Sequence, residues 1–347
     1  MTTYGDQVSQ FGGMPVSSGA GRLMQVFEGG NVHFVDGDNG KSGHSGKKPG
    51  RAYDLISTAL ANTKSVKRGA TIYVRPRMTS ASAQTYYQDS IDIPKTHPGL
   101  SIIGCGNTWG NPNAYAGVQI KPTTAGIGDH LIDVLGASLL LENMRLTLSG
   151  GTTDAGKSIV HGVSSTTATP GGLTIRGCFF ENDKSHPGIS GSDATAAIGI
   201  GTATYCMIEN CTFQNLLGGI AMQSVNGSMG RIQIRNNVFA GAPGNRDCDI
   251  IVSINDASWC TGIVIHNNVF SDGKPAHAGG GTALYIDFPY LTAGTGILAN
   301  NWFASVDKEA QYGEAGTDAN IADQFFQVNN YCGYTTMNEP YGIIGNP

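Results

Sequence analysis

Side chains able to do acid–base chemistry are few in this chain. The carboxylates worth weighing are Asp247, Asp249, Asp256, Asp272, Asp287, Glu181 and Asp183. A pair of them facing each other across a groove would suit glycoside hydrolysis. Asp249, Asp256 and Asp287 fall near strands of neighbouring repeats and can share one face, with Asp249 and Asp287 at opposite ends of adjacent strands. The plainer reading is solvated strand-end acids, the usual place for a carboxylate. His161 and His266 have no acidic neighbour in sequence, and there is no Gly-x-Ser-x-Gly elbow, phosphate loop or His-Glu-x-x-His site. Asp36, Asp38 and Asn39 have the oxygen spacing that opens a calcium loop, but Lys47 stands where the closing glutamate belongs. Turn formation by Gly, Asp, Asn and Ser explains that stretch more simply. No metal and no cofactor are expected. Four aromatic residues, Trp109, Tyr115, Tyr205 and Tyr290, are candidates for stacking on sugar rings, with the covering of loops as the bland alternative.

A repeat must position whatever chemistry there is. Leu146, Phe180, Phe213, Phe239, Phe270 and Phe303 are spaced 34, 33, 26, 31 and 33 residues apart, each closing a short apolar unit. A period of that size, varying only in the linking segments, belongs to a solenoid. Within each unit apolar and polar residues alternate (Leu173 and Ile175, Ile232 and Ile234, Ile263 and Ile265), which is strand periodicity. With 50 glycines in 347 residues, stacked helices are disfavoured. In register, Asn237, Asn268 and Asn301 form a ladder of amides, and the phenylalanines form an interior stack. Glu142, Arg176, Glu209, Arg235, His266 and Ala299 line an outward column whose first four members alternate in charge. Neighbours in such a column attract by a fraction of a kcal/mol each. Secondary strands near residues 131–135, 159–163, 197–200, 220–223, 250–254 and 284–288 give each coil two or three strands, and after Trp302 the repeat is expected to stop.

The chain is charge-poor, with 14% charged residues and a net charge of −5, so nothing electrostatic invites nucleic acid. No apolar run reaches the roughly 20 residues of a membrane span. Its seven cysteines include no Cys-x-x-Cys pair and read as buried free thiols. Residues 1–30 are rich in Gly, Ser and Gln, nearly uncharged, and dotted with apolar side chains from Phe11 to Phe27. That composition suits an extended arm ordered on another subunit better than a solvated tail. Residues 53–62, with Leu55, Ile56, Ala59 and Leu60 on one face, would cap the open end of the solenoid. The expected division is an arm over 1–30, a capped solenoid over 31–305, and a C-terminal cap or tail over 306–347.

These features resemble the right-handed parallel β-helix proteins of the pectate-lyase-like superfamily, and among them the β-helical proteins of tailed bacteriophage particles. The resemblance covers roughly residues 32 to 305 and includes the opening run Val32, His33, Phe34, Val35, Asp36, Gly37 and the later Thr71, Ile72, Tyr73, Val74. It implies an all-β solenoid with an N-terminal capping helix, and it fixes fold better than function. A lyase of the superfamily would need clustered acidic calcium ligands and a base, and the Asn-x-Asp, Asp-Asp and Gly-His series of polygalacturonases is missing. No export signal is visible at the N-terminus. The expectation is therefore a non-enzymatic virion protein, a capsid-decoration or tail component attached to other virion proteins by its arm and adhering to host polysaccharide. A homotrimer with side-by-side contact through Met207, Val264 and Ile297 is expected by the same resemblance. The competing reading is a tailspike-like depolymerase or lyase using Asp249, Asp256 and Asp287.

Overall fold

A computed structural model describes residues 10–11, 14–15, 31–62, 69–77, 87–88, 91–106, 117–121, 131–135, 138–148, 159–162, 172–182, 196–201, 205–214, 216, 218–224, 229–240, 248–254, 260–271, 285–287, 294–304, 312–313, 325–332 and 342–344. The alternation read from sequence sets the faces of the strands. Leu173–Arg176 buries Leu173 and Ile175 and turns Thr174 and Arg176 outward. Leu139–Glu142 repeats the pattern one coil earlier.

Among the described residues these strands wind into three sheets of ten, ten and eight strands. The first sheet runs from Val32–Val35 through Leu139–Glu142, Leu173–Arg176, Met207–Glu209, Met229–Arg235, Cys260–His266 and Gly294–Ala299 to Phe325–Val328. The second includes Met144–Leu148, Phe179–Asn182, Thr212–Gln214, Val238–Ala240, Val269–Phe270, Trp302–Phe303 and Asn330–Cys332. The third runs from Ile91–Ile93 to Tyr312–Gly313. A coil visits the three sheets in turn and returns one strand further along, so its pairings are parallel; Leu139, Leu140, Leu141 and Glu142, for example, align with Leu173, Thr174, Ile175 and Arg176. This is a parallel β-helix. The solenoid continues one coil past Trp302, because Phe325–Val328 pairs with the preceding first-sheet strand and Asn330–Cys332 with the second. Gly342–Ile344 then closes the edge of the second sheet, antiparallel to Asn330–Cys332.

The corner between the first and second sheets is made the same way in successive coils. Asn143, Asn210, Asn236, Asn267, Asn300 and Asn329 adopt φ between 51° and 59°, and Gly177 takes that place with φ 60°. A short amide tolerates the left-handed region where a branched or bulky residue does not. The residue after this bend points inward. Asn237, Asn268, Asn301 and Asn330 are fully buried there. Each donates its side-chain N–H to a main-chain carbonyl of the coil before it: Ile208, Ile234, Ile265 and Leu298, all at 3.0 Å. In the upstream coils Cys178 and Cys211 hold the same position, and their thiols face the equivalent carbonyls of Leu141 and Ile175 at 3.8 Å. The thiols of Cys105, Cys178, Cys206 and Cys211 are buried and unbridged, as expected; the side chains of Cys248, Cys260 and Cys332 lie outside the described residues.

Inside, Phe180, Phe213, Phe239, Phe270 and Phe303 stack as one file, with centroids 4.7 to 5.0 Å apart. That distance is the strand spacing itself, so the rings pack at the pitch the backbone sets. Outside, the first sheet carries the expected charge column. Arg176 donates to both Glu142 oxygens at 3.0 Å and lies 3.7 Å from Glu209, which Arg235 meets from the other side at 2.7 Å.

At the N-terminal end the helix Ile56–Ala61 buries Ile56, Ala59 and Leu60 against the first coils and covers core that would otherwise face water. The Asp36 loop is built as a turn. Asp36 Oδ1 accepts from the backbone of Asp38 and Asn39, and its Oδ2 accepts from Arg75 at 2.7 Å. The arm expected over residues 1–30 lies outside the described residues, apart from the hairpin of Gln10–Phe11 with Met14–Pro15.

Candidate carbohydrate-binding face

The three acids singled out by sequence are placed as follows. Asp249 lies in the third-sheet strand Cys248–Ile254 and is 4% exposed, far from the solvated strand-end acid of the bland reading. Its backbone N–H and that of Ile250 both donate to the Tyr285 carbonyl at 3.0 Å. Asp287 lies on the adjacent strand, in register with Ile251, two positions along from Asp249. Their backbones are therefore diagonal neighbours across one strand pair, Asp249 near the start of its strand and Asp287 at the end of the other. Asp256 lies outside the described residues. Among the described residues, no group of three or more His, Cys, Asp or Glu is arranged to hold a metal ion.

Glu181 is occupied. It sits on the outer face of the second sheet, opposite in alternation to the inward Phe180, and forms an ion pair with Arg145. Both are 8% exposed, and the Arg145 guanidinium also lies over the Phe179 ring, 5.5 Å from its centroid. A buried carboxylate needs such a partner to stay charged, and a carboxylate so held serves structure. Beside it Gln119 donates to the Thr147 hydroxyl at 3.3 Å.

Of the aromatic candidates, Trp109, Tyr115 and Tyr290 lie outside the described residues. Tyr205 is described and is 57% exposed, two residues before the first-sheet strand Met207–Glu209, with the Arg231 guanidinium 4.6 Å from its ring centroid. Two exposed aromatics escaped the sequence reading. Trp302 and Tyr331 are aligned on neighbouring strands of the second sheet, 37% and 36% exposed. The signal for Trp302 was available: it directly precedes the inward Phe303, so alternation turns it out, where the same column upstream holds Thr212, Val238 and Val269. Two residues before each ring stands an exposed corner amide, Asn300 and Asn329. Across that corner, Ile297 and Phe326 align on the outer face of the first sheet, 39% and 66% exposed. The last coils thus present apolar ring faces beside exposed amides on successive coils. Pyranose rings are bound by this combination, their C–H faces on aromatic rings and their hydroxyls on amides.

No family model matches the chain, and no curated protein matches it. Solved structures do. A DFA-IIIase variant from Arthrobacter chlorophenolicus in complex with DFA-III aligns with a TM-score of 0.54 at 14% identity, over 87% of this chain and 68% of that one. A pectin methylesterase from Aspergillus niger aligns at 0.49 and 16% identity, over 89% and 87% of the two chains. A lacto-N-biosidase from Eubacterium ramulus aligns at 0.28 and 8% identity, over 88% and 70%. The likeness shows the fold. At these identities it extends to the parallel β-helix and to nothing finer.

Proposed function

We propose that this chain is a polysaccharide-binding β-helix that grips its ligand on the outer face of its last coils without cleaving it. The observation that carries the reading is the alignment of exposed Trp302 and Tyr331 on adjacent strands, beside the amides of Asn300 and Asn329. Of the candidate acids, Glu181 supports binding over catalysis, since it is committed to Arg145. We extend the proposal to a virion setting: a capsid-decoration or tail protein on the particle surface, joined to other virion proteins through residues 1–30 and self-associating as a trimer. Support for that setting is the phage-like opening run and the composition of residues 1–30. It is tested by deleting residues 1–30, after which the truncated protein should no longer join the particle. Normal incorporation of the truncated protein would end the anchoring idea.

A depolymerase is the second reading, favoured by one observation, the diagonal placement of Asp249 and Asp287 on neighbouring strands. Binding is tested by titrating the protein against a panel of bacterial polysaccharides with Trp302→Ala and Tyr331→Ala as controls. Each substitution should weaken binding about tenfold, as expected for loss of one stacked ring. Unchanged affinity in both variants would place the ligand elsewhere.

A further inference from the structure

A second column, mostly of left-handed residues, runs through the first-sheet strands just before their inward side chains. Gly69, Gly99, Gly172 and Gly262 occupy it with φ between 68° and 88° by strand register, and Ser138 holds it between Gly99 and Gly172 without the left-handed bend. In the two coils between Gly172 and Gly262 the same position holds Tyr205 (φ 60°) and Arg231 (φ 57°). Glycine takes this conformation freely, whereas a bulky side chain in it is strained. The chain therefore keeps the left-handed bend without glycine in two adjacent coils, and both put large groups at the surface. Tyr205 is 57% exposed and Arg231 is also exposed, its guanidinium stacked on the tyrosine ring at 4.6 Å.

Arg231 also differs from the arginines around it. Arg75, Arg145, Arg176 and Arg235 each meet a carboxylate. Among the described residues Arg231 meets none, so its fork of N–H donors stands open beside an aromatic face. Strained, exposed side chains persist where function holds them. An open guanidinium matches a carboxylate bidentately, and an adjoining ring matches the face of a sugar.

We propose that Tyr205 and Arg231 form a binding site for an acidic saccharide, the ring of a uronic-acid-type residue lying on Tyr205 and its carboxylate on Arg231. This rests on the polysaccharide-binding reading and names the ligand's charge. The site is separate from the aromatic pair of the last coils.

The test uses the full chain and its Tyr205→Gly and Arg231→Gly variants, which the backbone accepts. Melting temperature is measured for each, together with binding to polygalacturonate, alginate and hyaluronan and to the methyl ester of each polymer. The expected result is that at least one acidic polymer binds, that its ester binds about tenfold more weakly, and that both variants lose about the same factor. Both variants should also melt no lower than the parent, since glycine relieves the strain. Variants that bind the acidic polymer as the parent does would overturn the proposal. So would a lower melting temperature with unchanged binding, which would make the pair a structural clasp. If neutral polymers bind and acidic ones do not, this proposal fails and the broader reading survives. If no polymer binds at all, both fall.

Discussion

The side-chain amide of Asn268 donates to Asn301 Oδ1 at 3.0 Å, while its own Oδ1 accepts from both the Asn237 amide at 3.1 Å and the Asn237 backbone N–H at 3.0 Å. One buried residue thus ties three coils, and with its bond to the Ile234 carbonyl it leaves no polar atom unmade. Substituting Asn268→Ala strands two donors of Asn237 in the interior and takes one of the bonds the Ile234 carbonyl accepts. The expected loss is about 3 kcal/mol, from the penalty for unsatisfied buried groups. A urea titration reads it directly; a loss under about 1 kcal/mol would mean water or movement heals the gap.

Cysteine stands in the same file upstream. The Cys211 backbone N–H already donates to Asn237 Oδ1 at 2.9 Å, and its thiol lies 3.8 Å from the Ile175 carbonyl, a weak donor where the later coils use an amide. Cys211→Asn should extend the ladder by one rung and add about 1 kcal/mol, the net worth of a typical hydrogen bond. A destabilised variant would show that the corner at Cys211 is too tight for an amide.

Burial pushes the thiols of Cys178 and Cys206 up to about 12 and that of Cys211 well above its ordinary value. Unfolded thiols ionise near about 8.5. The folded values are raised, so the contribution to stability is whole below the unfolded value and is lost as pH climbs toward the folded one. Unfolding free energy should therefore fall between about pH 8.5 and the folded value. Cys206→Ala should flatten that fall, by up to about 1.4 kcal/mol per pH unit for the one thiol removed. Iodoacetamide at mildly alkaline pH should label Cys178, Cys206 and Cys211 only after urea. Rapid labelling in the native state would contradict their burial.

Sequence made the coils legible because three side-chain files repeat at one place in the unit. Phenylalanine, asparagine and alternating charge each return just before or after the same bend, and the structure stacks Phe239 on Phe270 and Glu209 against Arg235 as that register requires. The final coil was hidden because the phenylalanine file ends at Phe303, whose partner is Cys332, although the paired asparagines Asn329 and Asn330 repeat Asn300 and Asn301. Sites were harder to read. A carboxylate's burial depends on what covers a sheet face, so Asp249 and Glu181 looked alike in sequence while one lies within a third-sheet strand and the other is bound to an arginine. Arg231 gave no signal until the glycine column around it was visible. Each of its members directly precedes the first inward residue of a first-sheet strand, as Gly172 precedes Leu173 and Gly262 precedes Ile263.

Binding without cleavage is most directly examined by incubating the protein with the polysaccharide it binds and following the polymer's length and its newly formed reducing or unsaturated ends. The expected result is a bound polymer of unchanged length. Shortening that Asp249→Ala or Asp287→Ala abolishes would contradict the account and make the third sheet an active site.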